Sequence, residues 1–220
     1  MKTNKILILV HGFIKNNKDM QTLEKSLQDS YESVISVSLP TTFVDMGVAV
    51  AKLCEVIANI PSSKQLTFIG HSMGGIIACR AINQLELKNV EKCIFIATPF
   101  RGSNVADFGH KIPFYSKVLK PNKNLMVSDQ YLEVCNLATK NIPVGLIAGK
   151  KYSKLNLLAR ALLKNEHDGL VETGSVFAIN ATDRIVLNHN HGKIHHATET
   201  LKYVKSFIEY NKFNPTSSFA

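Results

Sequence analysis

Ser72 stands between glycines in the stretch Ile69-Gly70-His71-Ser72-Met73-Gly74-Gly75. The spacing G-x-S-x-G is that of a nucleophile elbow. In such a turn the serine Oγ stands exposed, while neighbours without a Cβ let strand and helix crowd together. So short a pattern also arises by chance, so its surroundings must carry the weight. They fit: the run QLTFI precedes it as a strand, and GGIIACRAINQL follows at helical spacing. The serine therefore sits beside a helix N-terminus, with its free N–H groups and positive dipole end.

A hydroxyl attacks a carbonyl only if a base takes its proton and an acid orients that base. The polar loop EHDGLVETGS at 166–175 offers Asp168, with Glu166 and Glu172 as competing acids. The segment RIVLNHNHGKIHH offers His189, His191, His195 and His196. His195 and His196 open the last helix, whereas His189 and His191 occupy the loop directly after a strand. We take His191 as the base. H-x-H without a paired acid or cysteine motif is a weak metal signal, so neither a metal nor an organic cofactor is expected. The developing oxyanion needs two donors. One is the Met73 N–H, after the nucleophile; the other is the Phe13 N–H in LVHGFIKN, where Gly12 permits a tight turn.

These loops need a frame that brings them together. Apolar runs occur at 5–10, 33–39, 66–70, 93–97, 144–149 and 184–188, and several are continuous, as in strands covered on both faces. Helical patterns lie between them. Met20, Leu23 and Leu27 share one face; Met46, Val50, Leu53, Ile57 and Ile60 share another, and Pro61 ends that helix. A third helix starts after Ser72, and a last one near Ala197 carries Leu201, Val204 and Ile208. Alternation of this kind predicts an α/β fold: a mainly parallel sheet of about six strands with helices on both faces. Two stretches break the rhythm: 100–140, read as a lid or cap insertion, and 150–167, a smaller insertion containing LNLLARALL.

With 220 residues, 45% hydrophobic and 20% charged, the chain reads as one domain over 1–220. No apolar run approaches the roughly 20 residues of a membrane-spanning helix. The N-terminal run of about five apolar residues lacks a cleavage site, and the expected location is cytoplasmic. Cys54, Cys79, Cys93 and Cys135 lack metal spacing and read as buried thiols. The net charge of +9 comes from dispersed lysines without an RNA-binding signature. No nucleic-acid partner is therefore expected, and weak surface contact with an anionic membrane is the most that the charge supports.

Taken together, LVHGF, GHSMGG, ATPFRGS at 97–103, DGLVETGS at 168–175 and a histidine after RIVLNHN resemble an α/β-hydrolase, close to the small bacterial lipase and esterase branch. The resemblance spans residues 5–195. It implies that Asp168 is the triad acid, that His191 is the base, and that Thr98–Ser103 leads into a lid. It also implies a carboxylic ester hydrolase acting through an acyl-enzyme on Ser72, with a small-molecule or lipid acyl ester as substrate. His11, Gly12 and His71 border the reacting groups; with Phe100, Phe108 and Phe114 they are the expected substrate contacts. A thioesterase or acyltransferase would use the same triad, and a non-catalytic binding protein on this fold is the rival from another class.

Overall fold

Runs of β-branched and leucine residues with no polar interruption become strands hidden on both faces, and here they pair into one sheet. The structure, a computed structural model, describes residues 4–42, 44–102, 130–152, 163 and 165–214. Phe108, Phe114, LNLLARALL up to its last leucine and most of both expected insertions lie outside the described residues.

The strands are β1 (Lys5–Val10), β2 (Ser33–Val37), β3 (Gln65–His71), β4 (Val90–Ile96), β5 (Val144–Gly149) and β6 (Asp183–Leu187). They form a parallel sheet in the order β2-β1-β3-β4-β5-β6. Chain order reverses between β1 and β3, the kind of switch point at which open α/β sheets place a ligand crevice beyond the strand C-termini.

Alternate side chains of each strand feed two cores. Ile6, Ile8 and Val10 of β1, with Phe68, Phe95 and Leu146, pack against α2 (Met46–Ala58), α3 (Met73–Gln84) and α4 (Gln130–Ala138). Leu7 and Leu9, with Ile69, Ile94 and Ile147, pack on the opposite face against Leu23 and Leu27 of α1 (Gln21–Leu27). Val204 and Phe207 of the last helix complete that second core. The expected repeats Met20-Leu23-Leu27 and Met46-Val50-Leu53-Ile57 are buried, whereas Ile60, expected on the same face, lies beyond the end of α2 and is half-buried. Local chemistry sets the helix ends: the Asp45 carboxylate accepts the Gly47 N–H at 2.7 Å to cap α2.

Differences from the sequence reading are local. Strand β4 begins at Val90, before the apolar run, because its charges are absorbed: Glu91 pairs with Lys5 at 2.6 Å. Lys92 is buried and donates to the Ile208 carbonyl and, at 3.1 Å, to Asn211 Oδ1. Both acceptors lie at the C-terminal end of the last helix, where a cation favours the dipole. The 100–140 stretch ends in α4, whose Cys135 and Ala138 join the first core. All four cysteines are unpaired and buried, and burial pushes the Cys79 and Cys93 thiols up. Among the described residues, no helix is long and apolar enough to cross a membrane.

Candidate active site

The turn from β3 to α3 holds Ser72 at φ 55, ψ −129, a conformation that costs about 1–3 kcal/mol for a non-glycine residue. Close packing enforces it. A Cβ on Gly74 would lie 2.2 Å from the Val10 carbonyl oxygen, and one on Gly70 would lie 2.5 Å from the Gly75 Cα. Only bare backbone lets α3 approach the ends of β1 and β3 so closely. The Ser72 N–H donates to the Ile96 carbonyl at 2.9 Å, which fixes the turn to β4 as well.

A continuous line of hydrogen bonds leads away from the hydroxyl. Ser72 Oγ lies 2.9 Å from His191 Nε2, and His191 Nδ1 lies 2.7 Å from Asp168 Oδ2. A carboxylate only accepts, so Nδ1 carries the proton and Nε2 is left to accept from the serine. Asp168 cannot swing: its Oδ1 accepts the N–H groups of Leu170 at 3.0 Å and Val171 at 2.8 Å. The Asp168 carbonyl also accepts the His191 N–H at 3.0 Å, so acid and base are joined twice. Gly169, at φ 101, makes the tight turn from Asp168 to Val171.

The other titratable candidates point elsewhere. His189 faces Glu199 at 3.0 Å near the surface, Glu166 faces the Thr173 hydroxyl, and Glu172 faces the Asn165 amide. His195 meets Asp19 at 2.9 Å, and His196 lies 3.5 Å from the same carboxylate.

On the other side of the serine lies the loop after β1. An ideal Cβ on Gly12 would sit 3.0 Å from the Ser72 Cβ, so this loop touches the nucleophile. His11 Nε2 accepts the Leu39 N–H at 2.9 Å, which leaves the ring proton on Nδ1; that proton is donated to the Gly12 carbonyl at 2.9 Å. The Thr41 hydroxyl donates to the same carbonyl at 3.2 Å. Burial lowers the His11 pKa, more than the Gly12 contact and Asp19 raise it, which keeps the ring in this neutral tautomer. A trans peptide points C=O and N–H to opposite sides. Pinning the Gly12 carbonyl therefore also aims the Phe13 N–H, away from His11 and Thr41. Among the described residues no acceptor engages this amide or that of Met73, the first residue of α3.

Of the expected substrate contacts, His11 and His71 are buried with their rings bonded to protein, and Phe100 is buried edge-on against Phe95, centroids 5.3 Å apart. The two motifs flanking Phe100 and Asp168 are tied together. Ser175 donates to the Gly102 carbonyl at 2.7 Å and accepts the Arg101 N–H at 3.1 Å. Nothing in the sequence singles out Asp19, in the stretch NNKDM. Its histidine partners lie far along the chain.

Comparison with known proteins gives a consistent picture. The family described as "Putative serine esterase (DUF676)" matches residues 1–171. No curated protein matches the sequence. Among solved structures, the mature lipase BlEst2 of Bacillus licheniformis superposes with a TM-score of 0.75 at 18% identity, covering 94% of this chain and 91% of that one. A lipase-esterase related protein of Clostridium acetobutylicum gives 0.62 at 20% identity, over 94% and 95% of the two chains. An Arabidopsis methylesterase gives 0.61 at 14% identity, over 94% and 99%. At such identities the likeness speaks for the fold, which is that of the α/β-hydrolases.

Proposed function

Because this chain belongs to the serine esterase family DUF676, we propose that it hydrolyses carboxylic esters through an acyl-enzyme on Ser72. The observation that carries this reading is the unbroken line from Ser72 Oγ through His191 to Asp168. His191 Nε2 takes the hydroxyl proton as Oγ attacks the ester carbonyl. Asp168 keeps the ring in the tautomer that can do so and stabilises the imidazolium that forms. The Phe13 and Met73 N–H groups receive the oxyanion. Collapse of the tetrahedral intermediate expels the alcohol, which takes the proton from His191. Water, deprotonated by the same nitrogen, then attacks the acyl-enzyme, and the carboxylic acid leaves as Ser72 regains its proton.

The names of similar proteins support an ester over other acyl compounds: one called a lipase and one called a methylesterase share the fold. The experiment is fluorophosphonate labelling combined with a panel of p-nitrophenyl esters of increasing chain length. Ser72 is expected to carry the label, and Ser72→Ala is expected to lose both label and turnover. Undiminished ester hydrolysis by Ser72→Ala would refute the proposal.

A further inference from the structure

Beneath His191 lies a column of imidazoles that the steps above do not use. The His71 and His195 rings stack with centroids 3.7 Å apart and planes at 23°, and His196 follows at 3.9 Å. On its other side the His71 ring lies 5.1 Å from that of His191. Asp19 runs alongside the column. Its Oδ2 accepts from His195 Nε2 at 2.9 Å and lies 3.9 Å from His71 Nδ1; its Oδ1 faces Lys15 at 3.2 Å and His196 Nε2 at 3.5 Å. Asp19 follows β1, His71 ends β3, and His195 follows β6. The cluster thus joins the three loops that carry Phe13, Ser72 and His191.

His71 reaches the site through one bond: its Nε2 lies 3.1 Å from the His191 carbonyl oxygen. A carbonyl only accepts, so Nε2 bears the proton. Burial first, then the neighbouring His195 and His191, hold the His71 pKa well below its ordinary value; neutral, it keeps Nδ1 bare and unpartnered. Nothing in that bond alone stops the ring from tipping. The stack against His195 does, because His195 is fully buried and held by Asp19. The same three side chains offer ligand atoms within 4.8 Å of one another. Stacked rings, however, direct their in-plane lone pairs side by side and not toward one point, and the Asp19–His195 bond already occupies the gap.

We propose that His71, oriented by Asp19 through His195, is a positioning residue that fixes the main chain of His191 and so the reach of its ring to Ser72. The role in turnover rests on the ester-hydrolysis reading; the fixing of His191 does not.

The test compares His71→Leu, His71→Gln and Asp19→Asn with the wild type, by p-nitrophenyl ester kinetics and by proton NMR of the His191 Nδ1–H. Loss of the donor in His71→Leu is expected to lower kcat about tenfold with KM within about twofold. His71→Gln returns an N–H near the Nε2 position and is expected to recover kcat to within about threefold. Asp19→Asn should fall between them. The Nδ1–H should exchange with water about tenfold faster in His71→Leu and stay protected in His71→Gln. If His71→Leu does not fold, Asp19→Asn against His71→Gln carries the same comparison. Lower melting temperatures with unchanged kcat and unchanged Nδ1–H exchange would overturn the proposal, as would a failure of His71→Gln to recover either. A wild type without esterase activity whose Nδ1–H still loosens in His71→Leu would refute the ester reading alone and uphold the positioning network.

Discussion

Replacing Thr41 by valine separates the aim of the oxyanion donor from everything else in the site. Thr41 is buried, and valine fills nearly its volume; only the hydroxyl that donates to the Gly12 carbonyl at 3.2 Å is lost. That carbonyl keeps the His11 Nδ1–H at 2.9 Å, so no buried acceptor is orphaned, and the loss is the net worth of one hydrogen bond, about 1 kcal/mol. If that bond helps aim the Phe13 N–H, kcat falls about fivefold while KM holds. His11→Leu removes the second anchor and strands the Leu39 N–H. Its kcat should drop further, toward the roughly 10²–10³ limit for losing one oxyanion donor. Steady-state kinetics on a p-nitrophenyl ester give both constants. The rate of fluorophosphonate labelling is an independent check, since the phosphonyl oxygen enters the same position. Folded Thr41→Val and His11→Leu proteins with wild-type kcat, or with only KM raised, would refute the reasoning.

His191→Ala should lose roughly 10⁴-fold or more in kcat, whereas His189→Ala, whose ring faces Glu199, should stay within about threefold; parallel kinetics settle which histidine is the base. Gly74→Ala drives a Cβ into the Val10 carbonyl and should cost about 2 kcal/mol or more in a denaturant titration. Gly192→Ala meets nothing within 4 Å and should stay within about 0.5 kcal/mol; equal effects would refute the packing account. Acid should weaken the fold. Burial above all lowers the folded-state pKa of His11, His71 and His195 below 6.5, so below that pH the unfolded chain binds more protons. Their stabilisation is complete above about pH 6.5 and is lost as pH falls, by at most about 1.4 kcal/mol per pH unit per histidine. For Asp19, burial opposes ionisation, but His195 and Lys15 outweigh it and hold the carboxyl well below the usual range; its share is lost only below about pH 3.8. A melting temperature flat between pH 7 and 5 would contradict this.

The sheet was legible because its inner strands are largely hidden on both faces, so that β1 and β5 read as near-continuous apolar runs. Strands β1 and β5 match those runs at both ends. Legibility failed where side chains find distant partners. Lys92 hides the start of β4, because nothing local reveals that its ammonium caps a helix more than a hundred residues on. Ser38 and Leu39 continue the β2 pattern, yet the strand stops at Val37 and the Leu39 amide turns to His11. The same limit governs the site. Motif spacing led to Ser72 and the HGF loop, since each is a local turn with its own residue requirements; among the acids of its loop, Asp168 was singled out over Glu166 and Glu172 only by the family resemblance. Four histidines within eight positions carry no such signature. They are sorted only by what faces them, Asp168, Glu199 or Asp19, and Asp19 lies 176 residues before His195.

The line from Ser72 to His191 crosses 119 residues of sequence, and the last strand of the sheet lies between them. During synthesis Ser72 and the loop after β1 leave the ribosome long before His191 does. On the proposed mechanism, a nascent chain stalled ahead of β6 can build the turn around Ser72 but lacks the His191 nitrogen that would activate it. On that mechanism, hydrolytic competence therefore belongs to the finished sheet and awaits the loop that carries His191 to Asp168 and to the His71 column. It also gives a timing signal for folding: onset of fluorophosphonate labelling marks the arrival of β6.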